Sequence, residues 1–191
     1  MNGIKGLLVD MDGTLVDTAA ANYRAYADAL EEVGVSITRQ AFDQVALGRN
    51  WRQFLPALLE GTSASVDPAA VAARKVELYP SKVKLTVLNE ALAMLIESGR
   101  PGWRTALVTT ASAPNVAVVL SHHKLDSLFD FTVTGSEVTR HKPHPEAYQL
   151  SAERLGLVPA DCLVIEDSDI GVASALAFGA KCLQVRFGAA T

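Results

Sequence analysis

Short apolar runs recur along the chain, each closing on polar or acidic residues: GLLVD ends at Asp10, TALVTT at Thr110, FTVTG at Gly135 and CLVIED at Asp167. Runs rich in Val, Leu and Ile with no internal alternation are the pattern of strands covered on both faces, so these predict buried parallel strands. KCLQV adds a fifth. Helical spacing of apolar positions over Thr86–Glu97, Ala113–His122, Pro145–Leu155 and Asp169–Phe178 predicts the helices between them. Strand and helix alternating in this way build right-handed βαβ units, hence a parallel sheet with helices on both faces.

The stretch from Asp17 to Val83 breaks the alternation, because it carries several helical patterns and no strand pattern. TAAANYRAYADALEEVG closes on Gly34, which suits a helix C-terminus, and DPAAVAARKVELYP opens with Asp67 before Pro68, an N-terminal signal. ITRQAFDQVALG and NWRQFLPALLEG continue the helical spacing. The expected architecture is an α/β, Rossmann-like parallel sheet core formed by residues 1–16 and 84–191, with an inserted α-helical cap domain at 17–83. No internal repeat or low-complexity tract interrupts it.

Composition narrows the class of ligand. Of 191 residues, 49% are hydrophobic and 20% charged, and the formal net charge is -4 without a long run of either sign. Nothing in that balance draws the chain to nucleic acid or an anionic membrane, so the expected partner is small. The N-terminus MNGIKGLLVD runs straight into a strand pattern, and no apolar run approaches the ~20 residues that cross a bilayer, which together predict a cytoplasmic protein. Cys162 and Cys182 fall in apolar stretches that read as inner strands, where each is expected as a reduced, buried thiol. The oligomeric state is left open, and a monomer is compatible with everything above.

In an open α/β sheet, ligands bind beyond the carboxyl ends of the strands, and here two strands end on acids and another on hydroxyls. The first delivers Asp10-Met11-Asp12-Gly13-Thr14, with two carboxylates two positions apart and a glycine for a tight turn; the fourth adds Glu166 and Asp167. Four carboxylates around one point repel one another, and a hard divalent cation with oxygen ligands, Mg2+ beside phosphate, resolves this. A carboxylate can then form an aspartyl-phosphate if the metal, Thr110 and Lys142 neutralise the transferring oxygens. Taken singly these signals are ordinary, since Asp and Gly after a strand are turn chemistry and Glu166-Asp167-Ser168-Asp169 suits a helix N-terminus. Their joint order, each at the proper end of an element, is what carries weight.

VDMDGTLVDT, the strand ending LVTTAS, HKPHPEAY and VIEDSDIGVASALAFGA resemble the four motifs of the haloacid dehalogenase superfamily, over nearly the whole chain and nearest its β-phosphoglucomutase and phosphoglycolate-phosphatase-like branch. The resemblance implies Asp10 as nucleophile, Asp12 as general acid and base, Thr110 binding the phosphoryl group and Lys142 steadying both. It implies magnesium held by Asp10, the backbone carbonyl of Asp12 and Asp167, with Glu166 joining directly or through water, and phosphate contacts from the backbone around Met11 and Ala111. Dehalogenases of this family lack the second aspartate and phosphonatases carry alanine there, so Asp12 argues against both.

For the cap, the resemblance puts Asn22 where mutase-like members carry a histidine, Arg49, Trp51 and Arg52 after Gly48 in the substrate-specificity loop, and Lys75 at the cap lysine that reaches the active site. Each of these has an equally ordinary reading as a solvated or packing residue. Asn22 can donate a hydrogen bond but cannot take a proton at neutral pH. Asp169 reads as helix N-terminal stabilisation, with a place behind the metal ligands as the minor reading, His122 and His123 as solvent-facing, and His141 and His144 as flanking Lys142, His144 near the mouth of the site.

The expected function is a Mg2+-dependent phosphatase acting on a small phosphorylated metabolite such as a sugar phosphate or phosphoglycolate. A sugar-phosphate mutase is the alternative, and a non-catalytic binding protein on the same fold is the third reading.

Overall fold

The computed structural model of the chain describes residues 3–46, 49–60, 62, 66–100 and 102–187. Five strands form one parallel sheet: β1 (Gly6–Val9), β4 (Arg104–Val108), β5 (Phe131–Val133), β6 (Cys162–Glu166) and β7 (Lys181–Gln184), in the order β5-β4-β1-β6-β7. β1 lies at the centre, its Val9 opposite Leu107 on one side and Ile165 on the other. Successive strands run outward from β1 through β4 to β5, after which the chain crosses back to β6. The order reverses beside β1, which makes the carboxyl ends of β1 and β6 the switch point of the sheet.

Alternation along β1 divides the core. Leu7 and Val9 face a cluster with Leu107, Ile165 and the helices α5 (Glu90–Gly99) and α6 (Ala113–His123), represented by Leu92, Ile96, Val116 and Val119. Leu8 faces the opposite cluster with Val108, Val164 and the helices α7 (Glu146–Leu155) and α8 (Asp169–Phe178), represented by Tyr148, Leu155, Ala175 and Phe178. The helix expected at Thr86–Glu97 begins only at Glu90. Val87–Leu88 instead form a short strand, β3, antiparallel to β2 (Val16–Asp17). Asn89 explains the switch, because its Oδ1 accepts the Leu92 N–H as helix cap while its backbone and side-chain N–H groups reach the carbonyls of Leu15 and Thr14. The outgoing and returning crossings of the insertion are thereby tied together.

The insertion folds as α1 (Ala19–Glu31), α2 (Arg39–Ala46), α3 (Trp51–Leu59) and α4 (Pro68–Leu78), followed by a 3-10 stretch at Tyr79–Leu85. Gly34 takes φ 78°, the left-handed conformation that closes α1, and Asp67 caps α4 through the Ala69 N–H. Asn50 and Gln53 form a reciprocal capping box at α3. These helices enclose a third cluster built on Tyr26, Leu30, Phe42, Phe54 and Leu55, with Tyr26 and Phe42 both edge-on to Phe54 at centroid distances of 5.2 and 5.6 Å.

Two sequence expectations are corrected. Cys182 lies half-buried on β7, an edge strand, whereas Cys162 is buried; both are free thiols. His123 is half-buried and bonded to the Thr86 hydroxyl at 2.8 Å, while His122 is exposed as expected. Among the described residues no helix is long and apolar enough to cross a membrane.

Because the third cluster is separate from the sheet's own, Phe42→Ala is expected to cost about 3 kcal/mol, with the loss confined to the insertion. Native-state hydrogen exchange should quicken at the amides of α1 to α4 and leave those of β1, β4 and β6 protected. Uniform loss across both regions would contradict the separation.

Candidate active site

The switch point gathers the predicted acids. Asp10 follows β1, Glu166 ends β6 and Asp167 follows it, and oxygens of these three carboxylates lie within 4.8 Å of one another. Lys142, from the loop before α7, reaches under them. Its ammonium donates to Asp10 Oδ1 at 2.7 Å, Glu166 Oε1 at 2.6 Å and the Val108 carbonyl at 3.1 Å, which uses all three N–H groups. Lys142, Asp10 and Glu166 are 4%, 6% and 1% exposed, so these are charge-assisted bonds in a dry interior.

Glu166 is saturated. Besides Lys142, Oε1 accepts from the Tyr148 hydroxyl at 2.8 Å, and Oε2 accepts from the backbone N–H of Asp167 and Ser168 and from the Ser168 hydroxyl. Gly171 packs so closely on this carboxylate that a Cβ there would lie 1.9 Å from it. Asp167 Oδ1 accepts from the Thr14 hydroxyl at 3.1 Å. Gly13, at φ 88°, passes so near that a Cβ would meet Asp167 Oδ2 at 2.4 Å, so the turn after β1 requires glycine twice over.

Asp12 points elsewhere. Its Oδ1 accepts from the Thr18 hydroxyl and from Asn22 Nδ2 at 3.3 Å, and its Oδ2 accepts from the Thr109 hydroxyl at 3.0 Å. Thr18 is the N-cap residue of α1 but makes no side-chain cap bond; Asp17 supplies one instead, accepting from the Ala19 N–H.

The electrostatics follow from burial and crowding. Burial, followed by the charge of Glu166, raises Asp10 well above the carboxylate range despite Lys142. The same two causes push Asp167 up to about 6. For Glu166, burial opposes ionisation, but the charge and hydrogen bond of Lys142 outweigh it and hold it low. One ammonium therefore does not neutralise three carboxylates, and the uncompensated remainder is hard oxygen chemistry that fits Mg2+.

These groups open onto a cavity of about 610 Å³ between the sheet edge and the inserted helices. Its walls include Asp10, Asp12, Asn22, Lys75, Thr110 and Lys142. Lys75 is 5% exposed, its ammonium 4.2 Å from the Tyr79 ring centroid and 5.2 Å from that of Tyr26. Burial pulls its pKa down to about 8, with the charge of Asp12 acting the other way. Arg49 and Trp51 also line the cavity; Arg49 is exposed and donates to the Val45 carbonyl, and Trp51 is half-buried. Arg52 is exposed, stacked 4.4 Å over Trp51 and not among the lining residues. Gly48, which precedes them, lies outside the described residues.

The structure thus brings Asp10, Glu166, Asp167 and Lys142 together, with Asp12, Asn22 and Lys75 around the same cavity. Thr110 lines that cavity and gives its carbonyl to Asn50 Nδ2 at 3.4 Å, whereas the hydroxyl beside Asp12 belongs to Thr109. Sequence reasoning also missed Asn50, Thr18 and Tyr148. Asp169 is exposed at the start of α8 and accepts from Gln184, and His141 and His144 do not line the cavity.

The carboxyl edge of the parallel sheet thus gathers three acids and a lysine at its switch point, and sequence comparison identifies the class of protein that carries them. The profile of haloacid dehalogenase-like hydrolases matches residues 7–185. The chain therefore belongs to the haloacid dehalogenase-like hydrolase family and is an enzyme of its phosphoric monoester hydrolase class. It is 34% identical to the fructose-1-phosphate phosphatase YqaB of Escherichia coli over 95% of this chain and 96% of that one. It is 35% identical to hexitol phosphatase A of the same organism over 98% and 85%. Among solved structures, CbbY from Rhodobacter sphaeroides in complex with phosphate superposes with a TM-score of 0.88 at 26% identity, covering 97% of this chain and 87% of that one.

Asp167 binds its proton more tightly folded than unfolded, so between pH 4 and 6 its contribution to stability falls as pH rises. In chelator, Asp167→Asn is expected to gain melting temperature relative to the native chain as pH rises from about 4 to 7. Added Mg2+ should stabilise the native chain and not the variant.

Proposed function

We propose that this enzyme is a Mg2+-dependent phosphatase for a phosphorylated sugar or polyol, working through an aspartyl-phosphate on Asp10. The observation that carries this reading is the buried Lys142 bridge between Asp10 and Glu166, opening on a cavity whose helical wall presents a second cation, Lys75. In this reading residues 1–16 and 84–191 form the catalytic core and 17–83 a substrate-facing cap. The names of two relatives, a fructose-1-phosphate phosphatase and a hexitol phosphatase, favour a sugar or polyol ester.

Asp10, held through Oδ1 by Lys142, attacks phosphorus while the ester P–O bond breaks. Asp12 gives its proton to the departing oxygen, then takes one from the water that attacks the phosphoaspartate. That second attack releases phosphate and restores the Asp10 carboxylate. Thr18, Asn22 and Thr109 orient Asp12 for both transfers. Asp10, Asp167 and the Asp12 carbonyl would hold Mg2+, with Glu166 as a neighbour; when bound, the ion neutralises charge on the phosphoryl oxygens. In this reading Thr110 binds the phosphoryl group, and Lys75, with Arg49 and Trp51 in the same wall, faces the leaving group, while Arg52 stacks on Trp51. A cytoplasmic setting accords with such a substrate.

The mutase alternative turns on Asn22, which donates to Asp12 but has no titrating proton to relay to a sugar hydroxyl. A hexose 1-phosphate with a bisphosphate primer should yield free phosphate and little 6-phosphate isomer.

The direct test is phosphate release from a panel of sugar, polyol and glycolate esters. Native turnover should require Mg2+ and vanish on chelation, and Asp10→Asn should lose at least about 10³-fold in kcat while melting as a folded protein. Retained activity in that variant would sink the mechanism.

Lys75 supplies a pH signature. Its charge is lost as pH rises through about 8, so KM should climb there while Lys75→Arg stays flat. Its folded pKa lies below the ordinary 10.5, so the unfolded chain binds the proton more tightly and the buried cation opposes folding at neutral pH. Lys75→Met should accordingly raise both KM and melting temperature.

A further inference from the structure

Of the five donors that converge on Glu166, two come from side chains distant in sequence, Lys142 and Tyr148, and the second has no place in the reaction above. Tyr148 is fully buried on α7, donates its hydroxyl to Glu166 Oε1 at 2.8 Å, and carries the Lys142 ammonium 5.0 Å from its ring centroid. Phe178 of α8 packs against the same ring at 6.5 Å, and Ala147 and Ala152 share the cluster, so the hydroxyl has a fixed position.

We infer that Tyr148 is a positioning residue for phosphoryl transfer: acting through Glu166, it fixes the point from which Lys142 holds the Asp10 nucleophile. The inference rests on the phosphatase reading for its consequence in turnover, and on geometry alone for the placement of Lys142.

Lys142 and Glu166 are both saturated with partners. Lys142 has three N–H groups and three acceptors, two of them carboxylates that compete for it. Glu166 Oε2 is already held by two backbone N–H groups and the Ser168 hydroxyl, so the carboxylate cannot swing from that end. Oε1 is shared between Lys142 and the phenol. Remove the phenol oxygen and Oε1 has Lys142 as its one remaining donor among the described residues. In a dry interior an under-satisfied carboxylate draws its cation closer. The ammonium would then move toward Glu166 and away from Asp10, which loosens the nucleophile, and because Tyr148 does not line the cavity no direct contact with a ligand is removed.

Tyr148→Phe keeps the ring and its packing and deletes one oxygen, so it separates positioning from core filling. Two measurements decide. In a chain carrying isotope-labelled lysine, the protected ammonium resonance that disappears in Lys142→Arg should shift or broaden in Tyr148→Phe. With the ester turned over best by the native chain, kcat should fall about tenfold while KM changes less than about twofold. In a Glu166→Gln background the same Tyr148→Phe change should have almost no further effect, because the residue acts through that carboxylate. A native-like ammonium resonance in Tyr148→Phe overturns the inference, as does an equal loss of kcat in both backgrounds, which is the mark of packing alone. If the native chain turns over no ester, the phosphatase reading fails, and the resonance still decides whether Tyr148 places Lys142.

Discussion

The ammonium of Lys142 holds the site together, and the chain around it is arranged to make its burial tolerable. An isolated charge in a protein interior costs several kcal/mol, which only close opposite charges and a full set of hydrogen bonds can offset. Both are present, since Asp10 and Glu166 stand at 2.7 and 2.6 Å and the Val108 carbonyl takes the third proton. The three acceptors come from the ends of three adjacent strands, β1, β4 and β6. The parallel register of those strands and the location of the lysine are thus mutually dependent. The strands bring the acceptors to one level, and the ammonium keeps two carboxylates from repelling each other at that level.

A local excess of negative charge remains, and it is directional. Glu166 spends its oxygens on protein donors, while Asp10 and Asp167 keep acceptor capacity toward the cavity. The acids therefore divide into one that anchors the lysine and two that are free to face a cation, a division set by backbone N–H groups and a tyrosine rather than by residue type. Across the cavity the imbalance is reversed. Lys75 sits over two tyrosine rings with its charge opposed by burial and answered at range by Asp12. Unpaired buried charges of both signs reduce stability, and a ligand carrying the complementary charges would relieve both.

Most of the fold was legible in the sequence because buried parallel strands are apolar throughout, and all five were recovered with their connecting helices. The short strands β2 and β3 were not, since two residues carry no periodicity; Asn89, as the cap of α5, was the one local signal that the helix begins later than Thr86. The acids and Lys142 were legible from strand ends and motif order. Thr109 was not singled out because the β4 pattern was read two residues long: the strand stops at Val108, and the first hydroxyl after it turns toward Asp12, while Thr110 lines the cavity. Cys182 was placed inside the sheet because KCLQV looks the same at an edge as at the centre; only strand order distinguishes them. Tyr148 closes the HKPHPEAY motif but was given no role, since a tyrosine at helical spacing reads as core, and so it is, apart from one oxygen.

The link between the helical insertion and the chemistry lies at the first turn of α1. A threonine at the N-cap ordinarily satisfies an orphan N–H of its own helix. Thr18 instead gives its hydroxyl to Asp12, and Asn22, one turn on, donates both to Thr18 Oγ1 and to the same carboxylate oxygen. Asp17 takes over the capping, and as part of β2 it also belongs to the paired crossing that leads into the insertion. Three consecutive functions, crossing, capping and orientation of Asp12, are thus carried by residues 17, 18 and 22. Any shift of α1 relative to β1 must move the hydrogen bonds on Asp12. The orientation of the Asp12 carboxylate is for that reason set by how the insertion sits on the sheet, with Thr109 just after β4 holding the other oxygen, as much as by the strand that bears the residue.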